Sequence, residues 1–429
     1  MTDHLSGPYG RAVVLSLLND KMNGGLKDKL RDGVTNLGAP PRQYAFEIAD
    51  QLSKTFAQTA VERDKKGGTA KTERDLLRWS GLLNVIIPSE LGGWGMDWPD
   101  TMKLVRLFAR IDSSIAHLFG FQHLMLASVW LYGSRERTEQ LFSETVRNRW
   151  FWGNALNPLD KRTTAAPDAN VGFLINGRKS FCSGATDSDM LIVSAIHSVD
   201  QKFMVAAIPS DRPGIRIHED WDSIGQRQTD SGTVEFNAVP AGHEEFLKTP
   251  GPLGSIRASL RSCIAQLILS NVFLGLAEGA LHEARNYTQA TTRPWANSAG
   301  INSATEDPYI LANYGRFFVN LRAAQALTDI AGESLQRAWE GGDAISGSLR
   351  GKCALDVAAS KVITTKTGLE ITSQMFEVMG ARSAAGPARL DRYWRNLRTH
   401  TLHDPVEYKT RELGDWALND KLPKPTFYS

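Results

Sequence analysis

A chain of 429 residues exceeds what one ordinary hydrophobic core organises, so two or three packed units are expected. Its 42% hydrophobic and 22% charged residues describe a globular chain and exclude a disordered or fibrous one. A formal net charge of +2 gives no electrostatic case for nucleic acid or an anionic membrane as partner.

Residues 1–40 read as an N-terminal extension punctuated by Gly24-Gly25 and Pro40-Pro41; Lys21, Lys27, Asp28, Lys29 and Arg31 interrupt any targeting pattern there. Over 42–80 the apolar positions Phe46, Ile48, Ala49, Leu52, Phe56, Leu76, Leu77 and Trp79 recur at helical spacing. The charged stretch 62–71 between them is expected to be a solvated turn. The apolar run from Val85 ends in the loop Gly92-Gly93-Trp94-Gly95, which lacks the spacing and lysine of a phosphate-binding P-loop. Residues 99–149 predict two or three further helices, with His117 and Phe121 four apart on one face. These elements make 41–149 a helical domain.

At Trp150 the texture changes. Short β-rich runs at 150–153, 173–176, 190–195, 203–208 and 233–236 are separated by Gly, Asn, Asp and Pro turns. Residues 150–250 are therefore expected to form a β domain that closes as a small barrel or sandwich. The helical period returns over 264–284, 309–339 and 349–379, with a polar loop at 291–307, so 251–429 predicts a bundle. No run of about 18 apolar residues reads as a membrane span. Cys182, Cys263 and Cys353 are far apart and odd in number, which argues against a disulfide framework and for a reducing cytoplasm.

Near the end stands Arg398-Thr399-His400-Thr401-Leu402-His403-Asp404-Pro405, with two of the nine histidines three apart and a carboxylate after the second. Histidine's ordinary pKa lies nearest neutrality, which suits proton handling. Pro405 biases Asp404 away from helix, so the pair belongs where a helix ends or bends. The same pattern also serves as a surface pair, a helix-end structural pair or half of a metal site, although no further ligand stands nearby at recognisable spacing.

From about residue 40 the order of helices, β unit and bundle resembles the acyl-CoA dehydrogenase fold, an α+β architecture with an N-terminal helical domain, a middle β-barrel or sandwich and a C-terminal four-helix bundle. Ile87-Pro88-Ser89-Glu90-Leu91-Gly92-Gly93-Trp94-Gly95 is similar to that family's N-domain loop. Phe181-Cys182-Ser183-Gly184-Ala185 stands where the family has its flavin-facing strand. Gln374-Met375-Phe376-Glu377-Val378-Met379-Gly380 stands at the turn that meets a neighbouring subunit's flavin. Where dehydrogenases of this fold carry a glutamate-glycine turn, this chain reads Thr401-Leu402-His403-Asp404-Pro405. Glu278 is the one residue at the family's alternative base position, so a dehydrogenase with Glu278 as base is a rival.

The stretch 398–405, with Asp307-Pro308-Tyr309, Leu418-Asn419 and Phe181 to Gly184, is similar instead to the family's flavin-dependent monooxygenases of the dibenzothiophene, dimethylsulfone and methanesulfinate group. That resemblance implies a homotetramer that takes reduced flavin from a separate NAD(P)H-dependent reductase. It further implies a C4a-hydroperoxyflavin formed with O2 and one oxygen atom passed to an organosulfur substrate of the sulfide, sulfoxide or sulfinate type. Oxygenation at carbon or nitrogen is the alternative within the same chemistry. Relatives in this group use FMN as FMNH2; FAD stays open, because no dinucleotide fingerprint decides it.

The site residues follow from the resemblance, each beside an ordinary structural role. His403 is expected at the reactive flavin edge as donor or acid/base, with Asp404 orienting its ring or capping the turn. Ser183 is expected beside the flavin as a donor, or as a turn serine. Phe181 packs on ring or substrate, and Asn154 contacts either. His117 and Phe121 line the substrate pocket or the core. Arg293 and the turn Gly380, Ala381 and Arg382 are expected at the flavin phosphate of a neighbouring subunit. No metal is implied.

Overall fold

In the computed structural model, which describes residues 42–298 and 300–429, six helices come first: α1 (Arg42–Ala57), α2 (Ala60–Lys66), α3 (Lys71–Ser80), α4 (Trp98–Ala109), α5 (Ser113–Tyr132) and α6 (Arg135–Asn148). The extension 1–40 lies outside the described residues. The expected solvated turn at 62–71 is corrected in part. Residues up to Lys66 are helical, and Asp64 is buried because Arg389 and Arg395 reach its carboxylate.

α5 is the pivot of this region. Asp112 caps it by accepting from the backbone N–H of Ser114 and Ile115, and Arg63 pairs with the same carboxylate. The helix is apolar nearly all round, as a core helix is, and is buried on almost every side. Gly120 lets it approach the bundle; a Cβ there would stand 2.4 Å from Ile268. By length and hydropathy α5 and one bundle helix pass as membrane spans, which the sequence reading had not found, yet the relevant stretches are 94% and 89% buried inside the protein.

The strands are β1 (Trp152–Ala155), β2 (Thr164–Asp168), β3 (Gly172–Lys179), β4 (Met190–His197), β5 (Phe203–Pro209), β6 (Ile215–Ile217) and β7 (Val234–Ala241). They form one curled sheet. β4 pairs antiparallel with β5 on one side and parallel with β1 and then β2 on the other, and β3, β7 and β6 continue from β2. β2 and β6 escaped sequence reading, one an Ala-Ala-Pro run of low strand propensity and the other three residues long. Period-two alternation sets the packing: Leu191, Val193 and Ala195 fill the sheet's own core, while Met190 and Ile192 join the helical one.

The bundle consists of α7 (Leu260–Ala290), α8 (Pro308–Glu340), α9 (Gly347–Met379), α10 (Asp391–Thr401) and α11 (Val406–Asn419). The helical core is continuous from α1 through α10, so the bundle and the first six helices pack as one mass beside the sheet's core.

Candidate active site

Between the sheet, α5, α7 and α10 lies a cavity of about 1050 Å³. That is at the upper end of the roughly 300–1000 Å³ typical of small-molecule sites. Its mouth exposes Leu159, Phe181, Ile224 and Leu402, apolar side chains that burial elsewhere would have hidden.

Two loops and one helix build the wall. Loop 221–231 is tied to α10: Gln226 N donates to Asn396 Oδ1 at 2.7 Å, and Arg395 Nη1 donates to Ile224 O at 2.6 Å. Gly225 is obligatory for this approach, since a Cβ would stand 2.1 Å from Arg395 O. Arg74, fully buried, fixes the same loop by pairing with Asp230 and donating to Thr186 O. The segment Phe181 to Ala185, expected to be strand, is a turn beyond β3 instead. It departs because Phe181 and Gly184 both take positive φ, at 60° and 71°, where no strand can run. The turn is held by Cys182 N to Gly232 O at 3.0 Å and Gly184 N to Thr229 O at 2.8 Å.

That turn aims Ser183 into the cavity at the head of a hydroxyl chain. Ser183 Oγ lies 2.8 Å from Ser231 Oγ, which lies 2.7 Å from Thr229 Oγ1, which donates to Gln226 O at 2.9 Å. A carbonyl only accepts, so all three bonds form only if each hydroxyl donates to the next. Ser183 then spends its proton on Ser231 and meets a ligand as an acceptor, not as the donor the sequence predicted. Asn154, on β1 beside it, donates its backbone N–H to Ser183 O at 2.9 Å. Its side-chain oxygen is already used by Leu156 N at 3.0 Å, which leaves its amide NH2 for a ligand.

On the opposite wall α10 stops at Thr401, and the turn before Pro405 carries His403 and Asp404. His403 Nδ1 is 2.8 Å from Asp404 Oδ1. Burial pushes the Asp404 carboxyl up, but the Lys361 ammonium at 3.5 Å, together with His403, outweighs it and holds the group well below the usual carboxylate range. An ionised Asp404 accepts a hydrogen bond from Nδ1–H, which leaves Nε2 as the ring nitrogen for a ligand. Lys361 was not anticipated, although a signal existed. It falls on the buried stripe Cys353, Val357, Thr364, Gly368 and Ile371 of α9, where a lysine needs a reason.

His400, one turn earlier, meets α5. Its Nε2 lies 3.0 Å from His117 Nδ1, and the His117 ring packs at a tilt against Phe121 with centroids 3.9 Å apart. Burial pushes His117 down to about 3, and burial followed by the neighbouring His117, His403 and Lys361 takes His400 well below its ordinary value. Both rings are therefore neutral. His117 Nε2 and His400 Nδ1 remain buried without a partner, as do the side-chain oxygens of Gln226 and Gln266 on the cavity wall. Such orphaned atoms beside a large cavity fit a polar, planar ligand with several hydrogen-bonding groups, as a flavin is.

The cavity thus gathers His117, Phe121, Asn154, Phe181, Ser183, His400 and His403. It does not gather the residues expected at the flavin phosphate, and Asp404 touches His403 without lining the cavity itself. Arg293, Ala381 and Arg382 are exposed and Gly380 half-buried, at the joined ends of α7 and α9 where Thr292 Oγ1 donates to Met379 O at 3.0 Å. Glu278 is also elsewhere, its oxygens engaged by Arg110 and by Gln325 Nε2 at 2.7 Å. A carboxylate so held on α7 is not a base for this cavity.

Comparison with known proteins agrees with this architecture. Residues 42–149, 155–239 and 267–408 match the N-terminal, middle and C-terminal domains of acyl-CoA dehydrogenase respectively. The chain is 53% identical over 395 residues to the probable FMNH2-dependent monooxygenase SfnC of Pseudomonas putida, covering 92% of this chain and 99% of that protein. It is 43% identical over 400 residues to the dibenzothiophene monooxygenase of Mycolicibacterium goodii, covering 90% and 96%. Among solved structures, methanesulfinate monooxygenase MsuC from Pseudomonas fluorescens superposes with a TM-score of 0.88 at 53% identity, over 91% of this chain and all of that one. FMN-bound TdsC from Paenibacillus sp. A11-2 gives 0.85 at 44%, over 90% and 100%. With all three domains matched and relatives this similar over nine-tenths of its length, the chain belongs to the acyl-CoA dehydrogenase fold family, in its branch of FMNH2-dependent monooxygenases.

Proposed function

We propose that this protein is the oxygenase of a two-component system that takes FMNH2 from a separate NAD(P)H-dependent flavin reductase and places one atom of O2 on the sulfur of a small organosulfur compound. The observation that carries the reading is the turn at 402–405, which presents His403 Nε2 to a cavity of flavin size while Asp404 holds Nδ1. Reduced FMN, when bound, supplies the two electrons that divide O2 between product and water.

The chain's own residues do the rest. His403 Nε2 holds and returns the proton that water formation consumes, with Asp404 fixing the ring. Ser183 accepts a hydrogen bond from a ring N–H, and Asn154 donates one. Phe181, at 63% exposure, offers its face to a flat ring system at the cavity mouth, and Phe121 with His117 bounds the substrate end. Apolar walls exclude the water that would otherwise intercept an activated oxygen.

Arg293, Gly380, Ala381 and Arg382 serve the FMN phosphate of a neighbouring subunit in a homotetramer, with Arg293 as a two-pronged donor. Two features support an assembly: the absence of this cluster from its own chain's cavity lining, and the outward face of α8, which leaves Leu311, Phe318, Val319 and Ile330 uncovered. The free thiols of Cys182, Cys263 and Cys353 suit a reducing cytoplasm.

Anaerobically reduced FMN, the protein and a panel of sulfides, sulfoxides and sulfinates are mixed with ¹⁸O2. One ¹⁸O atom in the product is expected. Bleaching of bound FAD by an acyl-CoA with no oxygenated sulfur would overturn the reading.

A further inference from the structure

Four arginines are at least nine-tenths buried among the described residues, and three of them hold a carboxylate or several oxygen acceptors. Arg74 meets Asp230 and Thr186 O; Arg106 meets Asp329 and Asn271. Arg350 donates to Ser259, Ser262 and Ser429 O. The fourth is different. Arg261, at 7% exposure in the first turn of α7, has one hydrogen bond, from Nε to Ser128 Oγ at 2.6 Å. No carboxylate pairs with it among the described residues, and its neighbouring titratable groups are Tyr132 and Tyr428. It lines the cavity, as do Ala265 and Gln266 one turn along the same helix.

A guanidinium taken from water without a counter-ion is costly to the fold unless something arrives to pair with it. Its planar fork suits an oxyanion with two acceptor atoms. We infer that Arg261 is the anchor for an anionic sulfur substrate, an alkanesulfinate or a close oxyanion, and that it selects such compounds over neutral sulfides. The inference rests on the oxygenase reading above and narrows its substrate class.

Two sources of oxyanion could answer this description, the substrate and the phosphate of FMN. The position of Tyr428 favours the substrate. Tyr428 lines the same cavity as Arg261, close enough for their charges to interact, and its ring lies 6.0 Å from that of His403. An anion on Arg261 therefore sits at the proton-handling end of the cavity. An FMN whose ring edge meets His403 carries its phosphate a ribityl chain away from that edge.

The test uses flavin-free full-length protein and methanesulfinate as probe. Calorimetry and thermal unfolding are expected to detect methanesulfinate binding and a rise in Tm for the wild type. Arg261→Met is expected to weaken that binding by roughly 30-fold or more, from loss of a buried charged hydrogen bond, and to remove the Tm rise. Binding of FMN to the same variant should be unchanged. With reductase, FMN and O2 present, the variant's KM for methanesulfinate should rise while turnover of a neutral sulfide is retained. Arg261→Lys, which keeps the charge but not the fork, should bind at an intermediate level and keeps the test open should the methionine variant unfold.

Absence of methanesulfinate binding to the wild type overturns the inference. So does loss of FMN affinity with sulfinate binding intact, which would assign the arginine to phosphate. Sulfinate binding without any oxygenation would sustain this assignment and remove the oxygenase reading instead.

Discussion

His400 and His403 stand three residues apart and have opposite chemistry. His400 lies inside α10, buried against His117 and Phe273, and is held neutral with one ring nitrogen unpartnered. His403 lies past the end of that helix, is 40% exposed at its side chain, and leans on a carboxylate that Lys361 keeps charged. Had α10 continued, the i,i+3 spacing would have put both rings on one buried face. The helix stops at Thr401 ahead of Pro405, so the second ring stands on the turn beside Asp404, while both rings border the cavity. The difference teaches that exposure and a charged partner, not residue type, separate a proton carrier from a wall.

Four variants sharpen that contrast, taken from the largest expected effect downward. His403→Ala should lower oxygenated product by roughly 10²- to 10⁴-fold, the range of a lost acid/base group, with FMN binding preserved; product within a few-fold of wild type breaks the comparison. Asp404→Asn should cost about 10- to 100-fold by losing the charge that orients the ring, read from single-turnover yields.

Lys361→Met should do less at neutral pH and show itself in acid. Without the ammonium the Asp404 carboxyl rises toward the value its burial favours, so the acid limb of the pH profile moves to higher pH. An unmoved limb would leave the lysine a packing role only.

His117→Phe touches the buried pair and should act on stability, at about 1–3 kcal/mol for the ring nitrogen it orphans on His400. Its pH signature has a definite sign. The His117 value in the folded chain is depressed to about 3. As pH falls below about 6.5 the unfolded chain binds the proton first and stability drains away. Between pH 6.5 and 4 the variant's Tm should therefore fall less steeply than the wild type's, which parallel pH series of thermal unfolding will decide.

Much of the fold was legible because its signals are local and long. The three bundle helices at 264–284, 309–339 and 349–379 differ from the observed ones only at their ends, since 3.6-residue periodicity sustained over many turns has few competitors. β2 and β6 were not, because one carries Pro167 and the other is three residues long, and both exist by pairing with β3 and β7. For the site, the sequence by itself determined the turn at 402–405, since Pro405 and the His-Asp dipeptide act through adjacent backbone. Only the tertiary structure decided what surrounds it. The hydroxyl chain from Ser183 to Gln226, the His117–His400 pair, the lysine behind Asp404 and the unpaired Arg261 join residues up to 283 positions apart. Charge and hydrogen-bond partners assembled at that separation leave no spacing to read, because the packing of helix on sheet, not the chain, brings them together.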